Sequence, residues 1–123
     1  YNETPEFFYQ VEGDMVLKII VDGKSQDVAI NEGDIYLLPA KVPHSPQRKA
    51  NTVGLVIEYP RSEGMLDALE WYCENCGTQL YRETFALDNI ETDMPVIFDR
   101  YYSDTKKCTC SNCGTVMDAP NKI

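Results

Sequence analysis

The chain of 123 residues is long enough to bury a core, and 43% hydrophobic with 25% charged residues is the composition of a globular protein. Its net charge of −9, from 20 acidic and 11 basic residues, argues against nucleic acid or an acidic membrane surface as a partner. There is no apolar run long enough to cross a bilayer and no signal-peptide pattern, so we expect a cytoplasmic protein.

The first half of the chain carries the signals of short β-strands. An aromatic-rich run, "EFFYQVEG", is followed by two β-rich runs around Asp22-Gly23, which is a common hairpin signal. After the turn "NEGD" come two more strand-like runs, "IYLLPA" and "TVGLVIEYP". Short strands joined by polar turns predict an all-β sandwich or barrel, and we assign residues 1–60 to it.

The only histidine, His44, stands in the stretch "VPHSPQR" between two prolines. Proline fixes its own φ and favours extended backbone in the residue before it. The stretch is therefore predicted to be extended, with His44, Pro46 and Arg48 pointing to the same side. On this stretch alone, a surface loop with an incidental histidine is the simpler interpretation.

The second half, residues 61–123, has a different character. Its first run, "SEGMLDALEWYC", begins with the helix-capping residue Ser62, and Met65, Leu66 and Leu69 can share one helical face. We therefore predict a helix here, followed by a stretch with few regular signals. We place a boundary between residues 60 and 61 and expect the second part to pack on the barrel.

Two matched cysteine pairs, "CENCG" and "CSNCG", lie in this second part. Each C-x-x-C-G turn directs two sulfurs to one point, so Cys73, Cys76, Cys110 and Cys113 are predicted to form a tetrahedral site for zinc or, as in rubredoxin, iron. Disulfides are disfavoured without a secretion signal, and a redox motif would occur once. Cys108 is the spare, since only Cys110 makes C-x-x-C with Cys113. We expect a structural role for this site.

Spacings in the first half resemble the two sequence motifs of the cupins. Glu6 is followed by six residues and Gly13, and Gly33 by five residues and Pro39, with His44 five residues further on. In cupins a glutamate ligand ends the first motif and a histidine ligand lies in the second. The resemblance implies a double-stranded β-helix, or jelly-roll barrel, that ends in a small four-cysteine metal-binding segment.

Longer stretches narrow this resemblance to one family. "EFFYQVEGDM", "EGDIYLLPAKVPHSPQR", "VGLVIE", "EWYCENCG" and "CSNCG" together are similar to the 3-hydroxyanthranilate 3,4-dioxygenases, in their short fungal and bacterial form. The resemblance implies a ferrous dioxygenase that opens the ring of 3-hydroxyanthranilate with dioxygen. The product, 2-amino-3-carboxymuconate semialdehyde, leads to quinolinate in the kynurenine route of NAD synthesis. The resemblance also implies a homodimer.

The resemblance assigns roles to particular residues. Glu6 and His44 match two iron ligands, and the third, a histidine, is expected before Tyr1 in an N-terminal part missing from this chain. Arg48 matches the arginine that binds the substrate carboxylate. Glu58 matches a glutamate that contacts the substrate's amino and hydroxyl groups, although it could instead be a structural partner of Arg48. Gln10 shares strand parity with Glu6, so it is expected to face the same cavity.

Two other functions stay open at this point. The chain could be a non-catalytic cupin module that binds a small molecule, with a structural zinc knuckle. It could also be a different cupin metalloenzyme, such as an isomerase, that uses the same ligands on another substrate. Arg48 and Glu58 favour an aminophenol carboxylate over these alternatives, by resemblance.

Overall fold

A computed structural model describes residues 1–120 of the chain. The chain separates into two compact units, Tyr1–Met65 and a second that begins at Leu66. The domain boundary that we place between residues 60 and 61 stays a prediction. So does the packing of the second part on the barrel. Among the described residues, no helix has both the length and the apolar character needed to cross a membrane.

Residues 1–65 form two three-stranded antiparallel sheets. One sheet has the strand order β4-β1-β6 and the other has the order β3-β2-β5. The strands are β1 (Glu6–Glu12), β2 (Met15–Val21), β3 (Lys24–Ile30), β4 (Ile35–Leu38), β5 (His44–Gln47) and β6 (Val53–Glu58). The predicted β architecture is confirmed, and so is the extended backbone of the stretch around His44.

The hairpin between β2 and β3 turns at the two residues that the sequence indicates. Val21 pairs with Lys24, so Asp22 and Gly23 alone make the loop. Their φ angles are 50° and 73°, and a two-residue loop with positive φ at both positions matches the right-handed twist of the strands. This local chemistry sets the register of the whole hairpin.

The core of the first unit consists of inward-facing strand residues. Phe8 of β1 and Leu17 of β2 are 2% and 0% exposed. They belong to one buried cluster whose other members are Met15, Ile19, Ile30 and Leu38. Because side chains alternate along a strand, Glu6 and Gln10 of β1 lie on the same inward face as Phe8. The sheet thus brings two polar side chains to its buried face.

The second unit begins with a hairpin where the sequence predicts a helix. Strand β7 (Asp67–Tyr72) pairs with β8 (Gln79–Phe85), and Leu69 lies opposite Glu83. The helix predicted from Ser62 onward is therefore wrong. Pairing with β8 outweighs the helical spacing of three apolar residues, because tertiary partners override a weak local preference.

A helix, α1 (Ile90–Tyr102), lies in the stretch that showed few regular signals. Asn89 caps it by accepting a hydrogen bond from the Glu91 amide, and the chain tolerates Pro95 in its second turn. The ring of Tyr101 stacks on Trp71 of β7, with centroids 4.3 Å apart. A short second helix, α2 (Thr105–Cys108), follows. The fold remains mainly β, with this small helical addition.

Candidate functional site

Glu6 and His44 meet although they belong to different sheets. Glu6 opens β1 and His44 opens β5, and the His44 Nε2 atom lies 2.6 Å from Glu6 Oε2. Glu6 is 4% exposed. The ring of His44 packs edge-on against Phe8, with centroids 6.2 Å apart. The structure thus brings together the two residues predicted to hold iron.

The hydrogen bonding of His44 decides which of its nitrogens is available. Nδ1 lies 2.9 Å from the carbonyl oxygen of Val42, and a carbonyl can only accept, so Nδ1 carries the hydrogen. In the neutral ring the lone pair is then on Nε2, directed at Glu6 Oε2. That oxygen is buried, and among residues 1–120 no other group donates a hydrogen bond to it.

Two facing lone pairs repel, so at 2.6 Å the two atoms either share a proton or act together as ligands of one cation. A first-row divalent metal fits this donor set, because neutral imidazole and carboxylate are its usual ligands and the other ring nitrogen is anchored to a carbonyl. The residues present therefore fit a site for such an ion. Both residues were predicted from the sequence to be ligands, whereas the contact with the Val42 carbonyl, a backbone group, was not.

The environment of Glu6 keeps its carboxylate ionised. Burial raises its pKa, but the polar contacts with His44, Glu58 and Asn2 outweigh this and lower the pKa to about 2. The Asn2 side-chain amide donates to Glu6 Oε1 at 2.9 Å, and Asn2 is 5% exposed. Asn2 therefore orients the carboxylate. Asn2 was not predicted as part of the site, since nothing in the sequence around it marks a contact with Glu6.

Glu58 faces Glu6 across two paired strands. The two residues are direct partners in the β1–β6 register, so their side chains share one face of the sheet. Glu58 accepts a hydrogen bond from Arg61 Nη1 at 2.7 Å. Hydrogen bonding with Glu6 and burial raise the Glu58 pKa, although Arg61 lowers it. The sequence left open that Glu58 is a structural partner of Arg48. In the structure the arginine that pairs with Glu58 is Arg61.

Arg48 follows the end of β5 and is an exposed residue. Its Nη1 atom donates to Gln10 Oε1 at 3.3 Å, and Gln10 is 1% exposed. Gln10 thus lies on the inward face, as its strand parity predicts. An arginine has five N–H donors in a planar fork, and this bond uses one of them. Arg48 therefore keeps donors for a carboxylate.

The predicted cluster of four cysteines is confirmed. The sulfurs of Cys73, Cys76, Cys110 and Cys113 all lie within 4.8 Å of one another. Cys73 Sγ is 3.6 Å from Cys113 Sγ, and Cys76 Sγ is 3.5 Å from Cys110 Sγ. Four sulfurs at about 2.3 Å from one tetrahedral zinc ion would be roughly 3.8 Å apart. The arrangement suits a single metal ion.

The two cysteine turns have the same backbone structure. Gly77 donates to the Cys73 carbonyl at 2.8 Å, and Gly114 donates to the Cys110 carbonyl at 2.9 Å. Both glycines have positive φ, 77° and 75°, which explains why glycine ends each C-x-x-C-G turn. The two copies of the C-x-x-C-G motif therefore form the same type of turn.

Polar neighbours stabilise the two exposed thiolates. The Thr78 hydroxyl, 3.2 Å from Cys76 Sγ, is the main cause that lowers the Cys76 pKa to about 7. Hydrogen bonds from Asn75 and then Thr115 lower the Cys113 pKa to about 5. Metal binding needs thiolates, so these contacts favour it. Cys108 lies apart, and its buried thiol donates to the Tyr101 carbonyl at 3.3 Å.

Comparison with known proteins gives one family. The family model described as 3-hydroxyanthranilic acid dioxygenase matches residues 1–102. A 3-hydroxyanthranilate 3,4-dioxygenase of Xanthomonas campestris pv. campestris (strain 8004) is 51% identical over 122 residues, covering 99% of this chain and 69% of that protein. The protein of the same name from Yarrowia lipolytica is 48% identical over 117 residues, covering 94% of this chain and 68% of its own length.

Proposed function

The chain belongs to the 3-hydroxyanthranilic acid dioxygenase family, and from this membership we propose that it opens the aromatic ring of 3-hydroxyanthranilate with dioxygen. This is a cupin family, which agrees with the two antiparallel sheets of residues 1–65. The product is 2-amino-3-carboxymuconate semialdehyde, which leads to quinolinate and NAD. The observation in the structure that supports the proposal is the buried Glu6 oxygen that lies 2.6 Å from Nε2 of His44.

Glu6 and His44 would hold a ferrous ion. When bound, that ion supplies the electron transfer that lets an aromatic ring react with dioxygen. Asn2 fixes one oxygen of Glu6, and the Val42 carbonyl fixes the ring of His44, so both ligands are oriented before a metal arrives. The third ligand, a histidine, stays a prediction.

Arg48 and Glu58 would orient the substrate. The fork of Arg48 suits a two-pronged pair with the substrate carboxylate. Glu58, beside Glu6 and held by Arg61, would accept hydrogen bonds from the ring hydroxyl and amino groups. Contacts at both ends of the substrate restrict its rotation, and such orientation lowers the barrier of the chemical step.

The four-cysteine cluster would hold zinc, or iron as in rubredoxin. Its role would be structural, because no general base or nucleophile belongs to it and the ion joins two turns 37 residues apart in sequence, at Cys73 and Cys110. Four reduced thiols suit the cytoplasm, which we propose as the location. We also keep the homodimer of the family resemblance as a proposal.

Oxygen uptake and product absorbance test the proposed reaction. The whole protein that carries this chain, loaded with ferrous iron, is expected to consume dioxygen and form the semialdehyde when 3-hydroxyanthranilate is added. A His44→Ala variant serves as the control without activity. Tight binding of 3-hydroxyanthranilate by iron-loaded protein without oxygen uptake would instead favour the non-catalytic binding module.

A further inference from the structure

Gly54 differs from the other glycines of the chain. Of the seven, six have positive φ and stand where the backbone requires glycine, whereas Gly54 does not. It lies inside strand β6, where glycine weakens a strand because it adds backbone entropy and packs no side chain. Its backbone conformation would accept any residue, so the reason for glycine must be space.

Arg48 occupies the space where a side chain at position 54 would stand. A Cβ atom built on Gly54 would overlap Arg48 Nη1 and lie 2.9 Å from Arg48 Cζ and 2.7 Å from Gln10 Oε1. Gly54 is also the direct partner of Gln10 in the β1–β6 register. The guanidinium thus rests on bare backbone, beside the amide oxygen to which it donates.

We propose that Gly54 is a positioning residue for substrate binding. By leaving the sheet surface open, it lets Arg48 lie against Gln10, and this fixes where the fork presents its remaining donors. The residue would thereby contribute to the preference for aminophenols that carry a carboxylate. This inference rests on the proposed role of Arg48 in binding that carboxylate.

The structure also indicates what a larger residue would do. The atoms nearest to the added Cβ are the ends of two flexible side chains, so Arg48 can move away without disturbing the backbone. Alanine in place of a strand glycine reduces the entropy lost on folding. Gly54→Ala is therefore expected to keep or raise the melting temperature while it weakens substrate binding, a combination that a purely structural role would not give.

The test compares Gly54→Ala with Val53→Ile in the iron-loaded whole protein. Val53 is the neighbouring β6 residue, half exposed on the other face, so this control adds one carbon outside the site. Gly54→Ala is expected to raise KM for 3-hydroxyanthranilate on the order of tenfold, as loss of one hydrogen bond between charged groups does. Val53→Ile is expected to leave KM unchanged, and inhibition by 2-aminophenol, which lacks the carboxylate, should be equal in both variants.

A double-mutant cycle separates this inference from the role of Arg48 itself. In an Arg48→Ala background, Gly54→Ala should have no further effect on KM, because the group it displaces is gone. If Arg48→Ala alone leaves KM unchanged, the proposed carboxylate contact fails. If Arg48→Ala raises KM but Gly54→Ala does not, or if the two effects multiply, Arg48 keeps its role and the positioning role of Gly54 is wrong.

A second variant keeps the inference testable if Gly54→Ala does not fold. Gln10→Leu retains the volume of a buried side chain and removes the oxygen that Arg48 contacts. It is expected to raise KM for 3-hydroxyanthranilate and leave inhibition by 2-aminophenol unchanged. An unchanged KM would show that Arg48 does not depend on this part of the sheet for its position.

Discussion

The hydrogen bond from His44 Nδ1 to the Val42 carbonyl determines the chemistry of the ring at the scale of single residues. It leaves Nε2 free to bind a metal ion, while Glu6 supplies a carboxylate that is ionised at neutral pH. The two prolines around His44 hold the backbone extended, and the carbonyl fixes the tautomer. Both restraints act before any metal is bound.

Replacing His44 tests this arrangement. His44→Ala is expected to lose iron and ring-opening activity, since one carboxylate holds a first-row divalent ion weakly. Metal analysis of purified protein gives the iron content, and the cysteine-bound metal serves as an internal reference because it should remain at one per chain. Ser45→Ala, at the exposed neighbouring position, is the matched control. Normal iron content in His44→Ala would remove this residue from the ligand set.

Arg48 permits a second prediction at this scale. Arg48→Ala is expected to raise KM by a factor that corresponds to about 2 kcal/mol, the typical loss for a hydrogen bond between charged groups, while iron content stays normal. Arg48→Lys keeps the charge but not the fork, so its KM should be intermediate. Steady-state kinetics of the three proteins give the comparison. Equal KM values would exclude Arg48 from the site.

At the scale of elements, the two cysteine turns together form one cluster that could hold a metal ion. Cys113→Ser is expected to release the bound metal and lower the free energy of unfolding, because a structural four-sulfur ion binds the folded state only. Cys108→Ala is the control, since Cys108 is buried but lies outside the cluster. Metal content and thermal unfolding are measured for both. A Cys113→Ser protein with its full metal content would contradict the four-sulfur site.

Turns whose geometry is intrinsic to their residues were predictable, whereas strand β7, which depends on its pairing with β8, was not. The Asp22-Gly23 hairpin and the cysteine turns follow from residues whose backbone geometry is intrinsic. The helix expected at Ser62 failed because β7 finds its partner β8 further along the chain. Asn2 and Arg61 escaped notice for another reason. Each contacts a carboxylate only three or four residues away, but no sequence motif marks such a pair at the end of a strand.

At the scale of the whole molecule, the two candidate metal sites belong to separate units of the chain. Glu6 and His44 lie in Tyr1–Met65, and the cysteine cluster lies in the unit that starts at Leu66. The sites also differ in donors, with one imidazole and one carboxylate in the first and four thiolates in the second. Their metals should therefore leave under different conditions.

Brief treatment with a carboxylate chelator at neutral pH tests this separation. It is expected to remove the iron and the activity first, while the cysteine-bound ion stays, because thiolates hold zinc or iron more firmly than a mixed nitrogen and oxygen set. Adding ferrous iron should then restore turnover, and metal analysis at each step follows both ions. Simultaneous loss of the two metals, with activity that iron alone cannot restore, would show that the sites are not independent.

The unequal exposure of the cysteines has a consequence for the handling and ageing of the protein. Cys76 and Cys113 are exposed, whereas Cys73, Cys108 and Cys110 are at most 3% exposed. The two exposed sulfurs are also those with a lowered pKa, about 5 for Cys113 and about 7 for Cys76. In neutral solution Cys113 is therefore mainly a thiolate and Cys76 is partly one, and the thiolate is the form that alkylating agents and oxidants attack. A bound ion would shield them. If that ion were lost, the sulfurs of Cys76 and Cys113 would become the most reactive cysteine sulfurs of the chain. Irreversible oxidation during storage would then begin at these two residues.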